Sequence, residues 1–202
     1  MKKIKILIFV LTTIFLIVFV NKNLNFKKNI LNENKRIISD LTIKNRYIKN
    51  INLVDSLELK NSLKKTPNIQ IYNEKNKGIS FEYLLEDELT LIYRYFDITC
   101  QPCVVSTLKH IKKSLKNDSN LKIIANYESR RELLQFKRIN KINLEVFNLK
   151  NKKLIPELDT QEIPYLLLVD KNYNIKSVHI LFKDFKKRNN TFIKSVCNFL
   201  NQ

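Results

Sequence analysis

An apolar, aromatic run that leads into a cysteine pair constrains this chain more than any other feature. Leu89-Thr-Leu-Ile-Tyr-Arg-Tyr-Phe96 reads as a buried strand, and Cys100-Gln101-Pro102-Cys103 follows it. Val104, Val105, Leu108, Ile111, Lys112 and Leu115 then continue at amphipathic-helix spacing. The cysteines therefore open a helix at a strand-to-helix junction. At a helix N-terminus, unpaired N–H groups and the macrodipole favour a thiolate, so Cys100 is assigned as nucleophile. Cys103 lies about one turn further in and is assigned as the resolving thiol. Gln101 and Pro102 fill the first helical turn, where the missing proline N–H costs little.

Other uses of these residues are weaker. Structural zinc takes four ligands, and this chain has three cysteines and two histidines, so no zinc site is expected. Two thiolates with one histidine could take Cu(I), which is kept as an alternative. Cys197 reads as a small buried hydrophobe, with an intermolecular disulfide as the alternative. His110 and His179 read as ordinary surface or core residues.

The order of the remaining elements implies an α/β sheet with an antiparallel edge. Strands are expected at 69–72, 79–85, 121–125, 144–147, 165–169 and 175–181. Helices are expected at 129–139 and 191–200. Ser129 with Glu132 three residues on makes a capping box for the first of these helices. Asp170 to Asn174 is read as the turn of a hairpin.

The amino terminus reads as an address. Lys2, Lys3 and Lys5 precede an apolar stretch from Ile6 to Val20, followed by no small-residue cleavage pattern and no lipid-accepting cysteine. Residues 1–21 are therefore expected to be an uncleaved signal anchor, a short transmembrane helix with snorkelling lysines. Residues 22–66 read as a juxtamembrane stalk or appendage, and 67–202 as the folded domain after Pro67. The formal net charge of +18 is spread as lysine along the chain rather than gathered in a basic arm. It reads as solvated surface, with no nucleic-acid partner expected and some attraction to anionic lipid. With a single glycine there is no phosphate-binding loop, so no nucleotide cofactor is expected.

From about Pro67 to Gln202 the chain resembles the thioredoxin-like superfamily, and within it the membrane-anchored redoxins of bacterial envelopes. Three pieces carry the likeness: Ile69-Gln-Ile-Tyr through Gly78-Ile-Ser-Phe, the strand ending in Cys100-Gln-Pro-Cys103, and Glu162-Ile-Pro-Tyr-Leu-Leu-Leu-Val-Asp170. The resemblance implies a central mixed sheet flanked by helices, and a redox-active Cys100–Cys103 disulfide in place of a cofactor. It implies a cis Ile163–Pro164 bond beside the cysteines, with Ile163 offering backbone hydrogen bonds to a bound peptide. The partners it implies are protein thiols and disulfides on the periplasmic side of the inner membrane. Pro102 before the second cysteine tilts the expected direction toward reduction.

Two departures stand out. Thr99 replaces the aromatic residue that usually precedes the first cysteine. Arg94 occupies the position, six residues ahead of Cys100, where many relatives carry a buried carboxylate that helps deprotonate the resolving thiol. Arginine accepts no proton. It could hold a thiolate electrostatically, pair with Asp97 or Glu128, or point outward. These departures motivate a second reading, a non-catalytic thioredoxin-fold binding or scaffold module.

Overall fold

In a computed structural model the residues described are 22, 28, 31–39, 41, 42, 49, 51–62, 64–85, 87–150 and 152–202. The expected signal anchor falls outside them. Among the described residues, no helix is long and apolar enough to cross a membrane. The chain divides into two units, Met1–Leu53 and Val54–Gln202. In the first, residues 31–39 are helical with Leu31, Ile37 and Ile38 exposed. The second takes in residues 54–66 ahead of Pro67, as well as the domain expected after it.

The aromatic run supplies the central strand, β3 (Leu89–Arg94), buried along all but its first residue. It pairs in parallel with β4 (Leu121–Ala125), which pairs in parallel with β5 (Val146–Asn148). On its other side it pairs antiparallel with β6 (Tyr165–Asp170), which is followed by antiparallel β7 (Ile175–Ile180). The hairpin of β1 (Gln70–Tyr72) and β2 (Gly78–Ser80) joins beyond β5, giving the order β2-β1-β5-β4-β3-β6-β7. The expected return strand over 79–85 is cut short. Ser80 accepts a hydrogen bond from the Glu82 N–H and caps a 3-10 turn over Phe81–Leu84, which buries Phe81 and Leu84.

Strand alternation sorts the core. Leu91, Tyr93 and Tyr95 join Val104, Leu108 and Ile111 of α2 (Gln101–Ser114) in one cluster with Ile193, Val196 and Cys197 of α5 (Lys186–Leu200). Each such buried aliphatic side chain contributes roughly 1.5–3 kcal/mol. In chain order between these two helices, α3 (Arg130–Ile139) carries the expected capping box, with Ser129 and Glu132 each bonded to the other's backbone. The other face carries Ile92 and Arg94, and Arg94 meets Asp159 of α4 (Pro156–Asp159), a short helix with no counterpart in the sequence reading.

A helical stretch over 54–61, α1, braces β7. The Ile180 N–H donates to Glu58 Oε1 at 2.6 Å, and the Ile175 N–H donates to the Lys64 carbonyl at 2.8 Å. Those contacts occupy β7, which ends the sheet order, and so protect a strand edge that would otherwise be open to pairing.

Candidate functional site

Beyond Arg94 the chain turns sharply before the cysteines. The Thr99 hydroxyl accepts from the Phe96 N–H at 3.0 Å and the Thr99 N–H donates to the Phe96 carbonyl at 2.9 Å. Thr99 is thus a turn-closing residue, a role an aromatic side chain lacks. Cys100 then sits at the N-cap of α2 and its carbonyl takes the first helical bond, from the Val104 N–H at 3.0 Å. Pro102 stands in the first turn as expected.

Cys100 and Cys103 are joined by a disulfide, with Cα atoms 5.2 Å apart. Cys100 is exposed and Cys103 half-buried. The first turn of α2 holds no acidic residue, so nothing negative on that turn opposes a thiolate. Beneath the helix lie Tyr93, Tyr95 and Tyr127. Burial pushes all three phenols up, Tyr127 to about 12, and they stay neutral under the site. Tyr93 also shares a hydrogen bond with Thr107 of α2.

The register of β3 and β6 sets Arg94 opposite Tyr165. Ile163 and Pro164, just before Tyr165, therefore lie at the end of the sheet from which the chain turns toward Cys100. The Ile163–Pro164 bond is trans, which corrects the expected cis form. Glu162 adopts a left-handed φ of 52°, and the Ile163 N–H donates to the Leu158 carbonyl at 3.2 Å. This ending of α4 makes the turn before the proline, and the bond keeps the form that X–Pro pairs prefer by about 0.5–1 kcal/mol. It also ties up the Ile163 N–H in a bond within the chain.

Arg94 pairs with neither Asp97 nor Glu128. Its Nε donates to Asp159 Oδ1 at 3.4 Å, its Nη1 donates to the Tyr95 carbonyl at 3.2 Å, and its guanidinium lies 4.2 Å from the Phe96 ring centre. Strand alternation puts it on the sheet face away from Tyr93 and α2. Asp159 also accepts from the Tyr165 hydroxyl at 3.0 Å and the Leu154 N–H at 2.5 Å. This buried carboxylate was missed because it comes from α4, far from β3 in sequence.

Comparison with solved structures bears on the fold. The solution structure of a "putative protein disulfide isomerase" from Bacteroides thetaiotaomicron superposes at a TM-score of 0.53 and 13% identity, covering 70% of this chain and 91% of that one. The domain has a thioredoxin-like fold. A thiol:disulfide interchange protein from Bacteroides sp. matches at a TM-score of 0.48 and 15% identity over 70% and 91% of the two chains. A mitochondrial 2-cys peroxiredoxin from Plasmodium falciparum matches at 0.48 and 16% over 67% and 93%. No family model and no curated protein sequence matches.

The remaining candidates take ordinary places in this thioredoxin-like fold. Cys197 is fully buried and free, and burial pushes its thiol up to about 11. His179 is buried against Phe192, ring centres 4.2 Å apart. His110 stands on α2, half-buried, at a cleft of about 560 Å³ between α2 and α5 that also reaches Cys103. Among the described residues no three His, Cys, Asp or Glu side chains are grouped to hold a metal ion.

Proposed function

We propose that this chain is a membrane-tethered thiol–disulfide oxidoreductase that reduces disulfides of envelope proteins, with its thioredoxin-like domain on the periplasmic side. One observation carries the chemistry: a disulfide at the N-terminus of α2 whose first sulfur belongs to an exposed residue and whose second to a half-buried one. The leader Lys2–Lys5 and the apolar stretch Ile6–Val20 support the tether and the compartment.

In the forward direction the Cys100 thiolate attacks one sulfur of a substrate disulfide. The Cys100–substrate S–S bond forms, and the other substrate sulfur leaves as a thiolate that takes a proton from water. Cys103 then loses its proton to solvent and attacks Cys100 Sγ. The Cys100–Cys103 bond forms and the second substrate thiolate leaves and is protonated. Two electrons pass from the protein dithiol to the substrate, and a dithiol donor restores them by the same exchange in reverse. The carbonyl of Ile163 offers an acceptor to the bound peptide.

A redox titration of the full chain, reading free thiols by alkylation and mass, tests this reading. Cys100 and Cys103 should interconvert as one two-electron couple near about −270 mV, the range of reductants, whereas about −120 mV marks an oxidant. A pair that does not cycle reversibly would leave the scaffold reading in its place.

A further inference from the structure

The cleft beside Cys103 is lined by Lys109 and Lys113 of α2, Lys186 of α5, and Lys183 just ahead of α5, with His110 between them. Among the described residues none of these four lysines has a carboxylate within ion-pairing distance, although ten such contacts are found elsewhere in the domain. Asp184 lies between Lys183 and Lys186 in sequence and pairs with neither. The His110 Nε2 is buried without a hydrogen-bond partner. Like charges gathered on one concave wall repel one another and raise the local concentration of anions. A surface with no internal counter-charge is complementary to a partner that brings its own.

We propose that this cleft is a specificity subsite for acidic polypeptide, reading carboxylates that flank the cysteine of the substrate. The inference rests on the exchange reading above and names its substrate class. Cys103 and Pro102 form part of the cleft wall. A peptide whose sulfur is joined to Cys100 can therefore run past Pro102 into the cleft, where Asp and Glu side chains meet Lys109, Lys113, Lys183 and Lys186. All four lysines are exposed, and their long flexible stems let the ammonium groups follow peptides of differing register. A chain of net charge +18 attracts anions everywhere, and what distinguishes the cleft is its position against Cys103.

The full chain, reduced with dithiothreitol and freed of it, would be mixed with three disulfide-linked fluorogenic peptides of equal length with acidic, neutral or basic flanks. At low salt the acidic peptide should react about tenfold faster than the basic one, and at high salt the gap should shrink to about twofold. Lys183→Glu/Lys186→Glu should abolish or reverse the order, and Lys183→Arg/Lys186→Arg should keep it. Lys75→Glu/Lys77→Glu makes the same charge change at exposed residues of the distant β1–β2 turn and should leave most of the preference. Equal rates for all three peptides, or equal losses from the two Glu pairs, would overturn the subsite while leaving thiol exchange standing. No reaction with any peptide overturns the exchange reading and the subsite with it.

Discussion

Arg94 Nε lies 3.4 Å from Asp159 Oδ1, and both side chains are 1% exposed. An arginine in the central strand is held there by a carboxylate from a short helix on the outer face. Asp159 in turn binds the backbone of Leu154 and the hydroxyl of Tyr165, so one carboxylate joins β3, β6 and the segment leading to Ile163. Desolvation opposes burying such a pair, and the attraction and the extra hydrogen bonds offset it.

Breaking this pair is expected to cost more than replacing it. Arg94→Met or Asp159→Asn alone leaves one uncompensated partner and should destabilise the domain by about 3–5 kcal/mol. The double variant Arg94→Met/Asp159→Asn keeps an amide oxygen to accept from the Leu154 N–H and an amide N–H that can donate to the Tyr165 hydroxyl, and should recover most of that loss. Urea unfolding of the four proteins measures the coupling, and simple additivity would refute it.

Cysteine roles separate in a trapping experiment. Cys103→Ser should accumulate a mixed disulfide on Cys100 with a disulfide substrate, because the resolving attack is removed. Cys100→Ser should neither accumulate it nor turn over. Non-reducing mass spectrometry reads both, and adduct on Cys103 in the Cys100→Ser protein would reverse the assignment. Cys197, buried and with its thiol raised, should remain unmodified in each folded protein.

Acid should weaken the domain partly through His179. Asn189 Nδ2 donates to the Phe182 carbonyl, which turns its Oδ1 toward His179 Nε2, so Nε2 carries the proton and Nδ1 accepts from Arg188. Burial first, and then Arg188, lower the imidazole to about 4. The unfolded chain takes a proton near pH 6.5 and the native one only near 4. The neutral ring's contribution is therefore complete above about pH 6.5 and declines as pH falls toward 4, by about 3 kcal/mol at most. His179→Gln should flatten the urea-midpoint profile across that window. A profile that stays as steep in the variant would assign the acid sensitivity elsewhere.

Arg188 should control the docking of α1. Its Nη1 donates to Glu58 Oε1 at 3.0 Å, and its Nη2 donates to Glu58 Oε2 and Asp55 Oδ1, both at 2.6 Å. Lysine cannot reproduce that fork. Arg188→Lys should weaken the contact by about 1–3 kcal/mol and speed amide exchange over 54–66 and at Ile180 in the full chain. Unchanged exchange there would show that α1 is held by other contacts.

Local chemistry made much of this protein readable in its sequence. The aromatic run became β3, the cysteines opened α2 with Pro102 in the first turn, and Ser129 with Glu132 capped α3. Each of these signals lies within a few residues of the structure it specifies, so periodicity and capping suffice to find it. That Cys100 is more exposed than Cys103 followed from helix geometry alone.

Contacts between distant segments needed the folded chain. The partner of Arg94 lies 65 residues away on a helix too short to show a period, and Glu58 reaches across 122 residues to the backbone of β7. The Ile163–Pro164 geometry depended on how α4 ends at Glu162, an L-residue in the left-handed region that no propensity marks. The lysines beside Cys103 come from α2 and from the region of α5, and neither helix alone reveals that they share a cleft. The sequence by itself determined that the cysteines open a helix just after the central strand, because that rests on neighbouring residues. Only the tertiary structure decided which charges meet, because ion pairing depends on distances that the packing of the sheet and its helices creates.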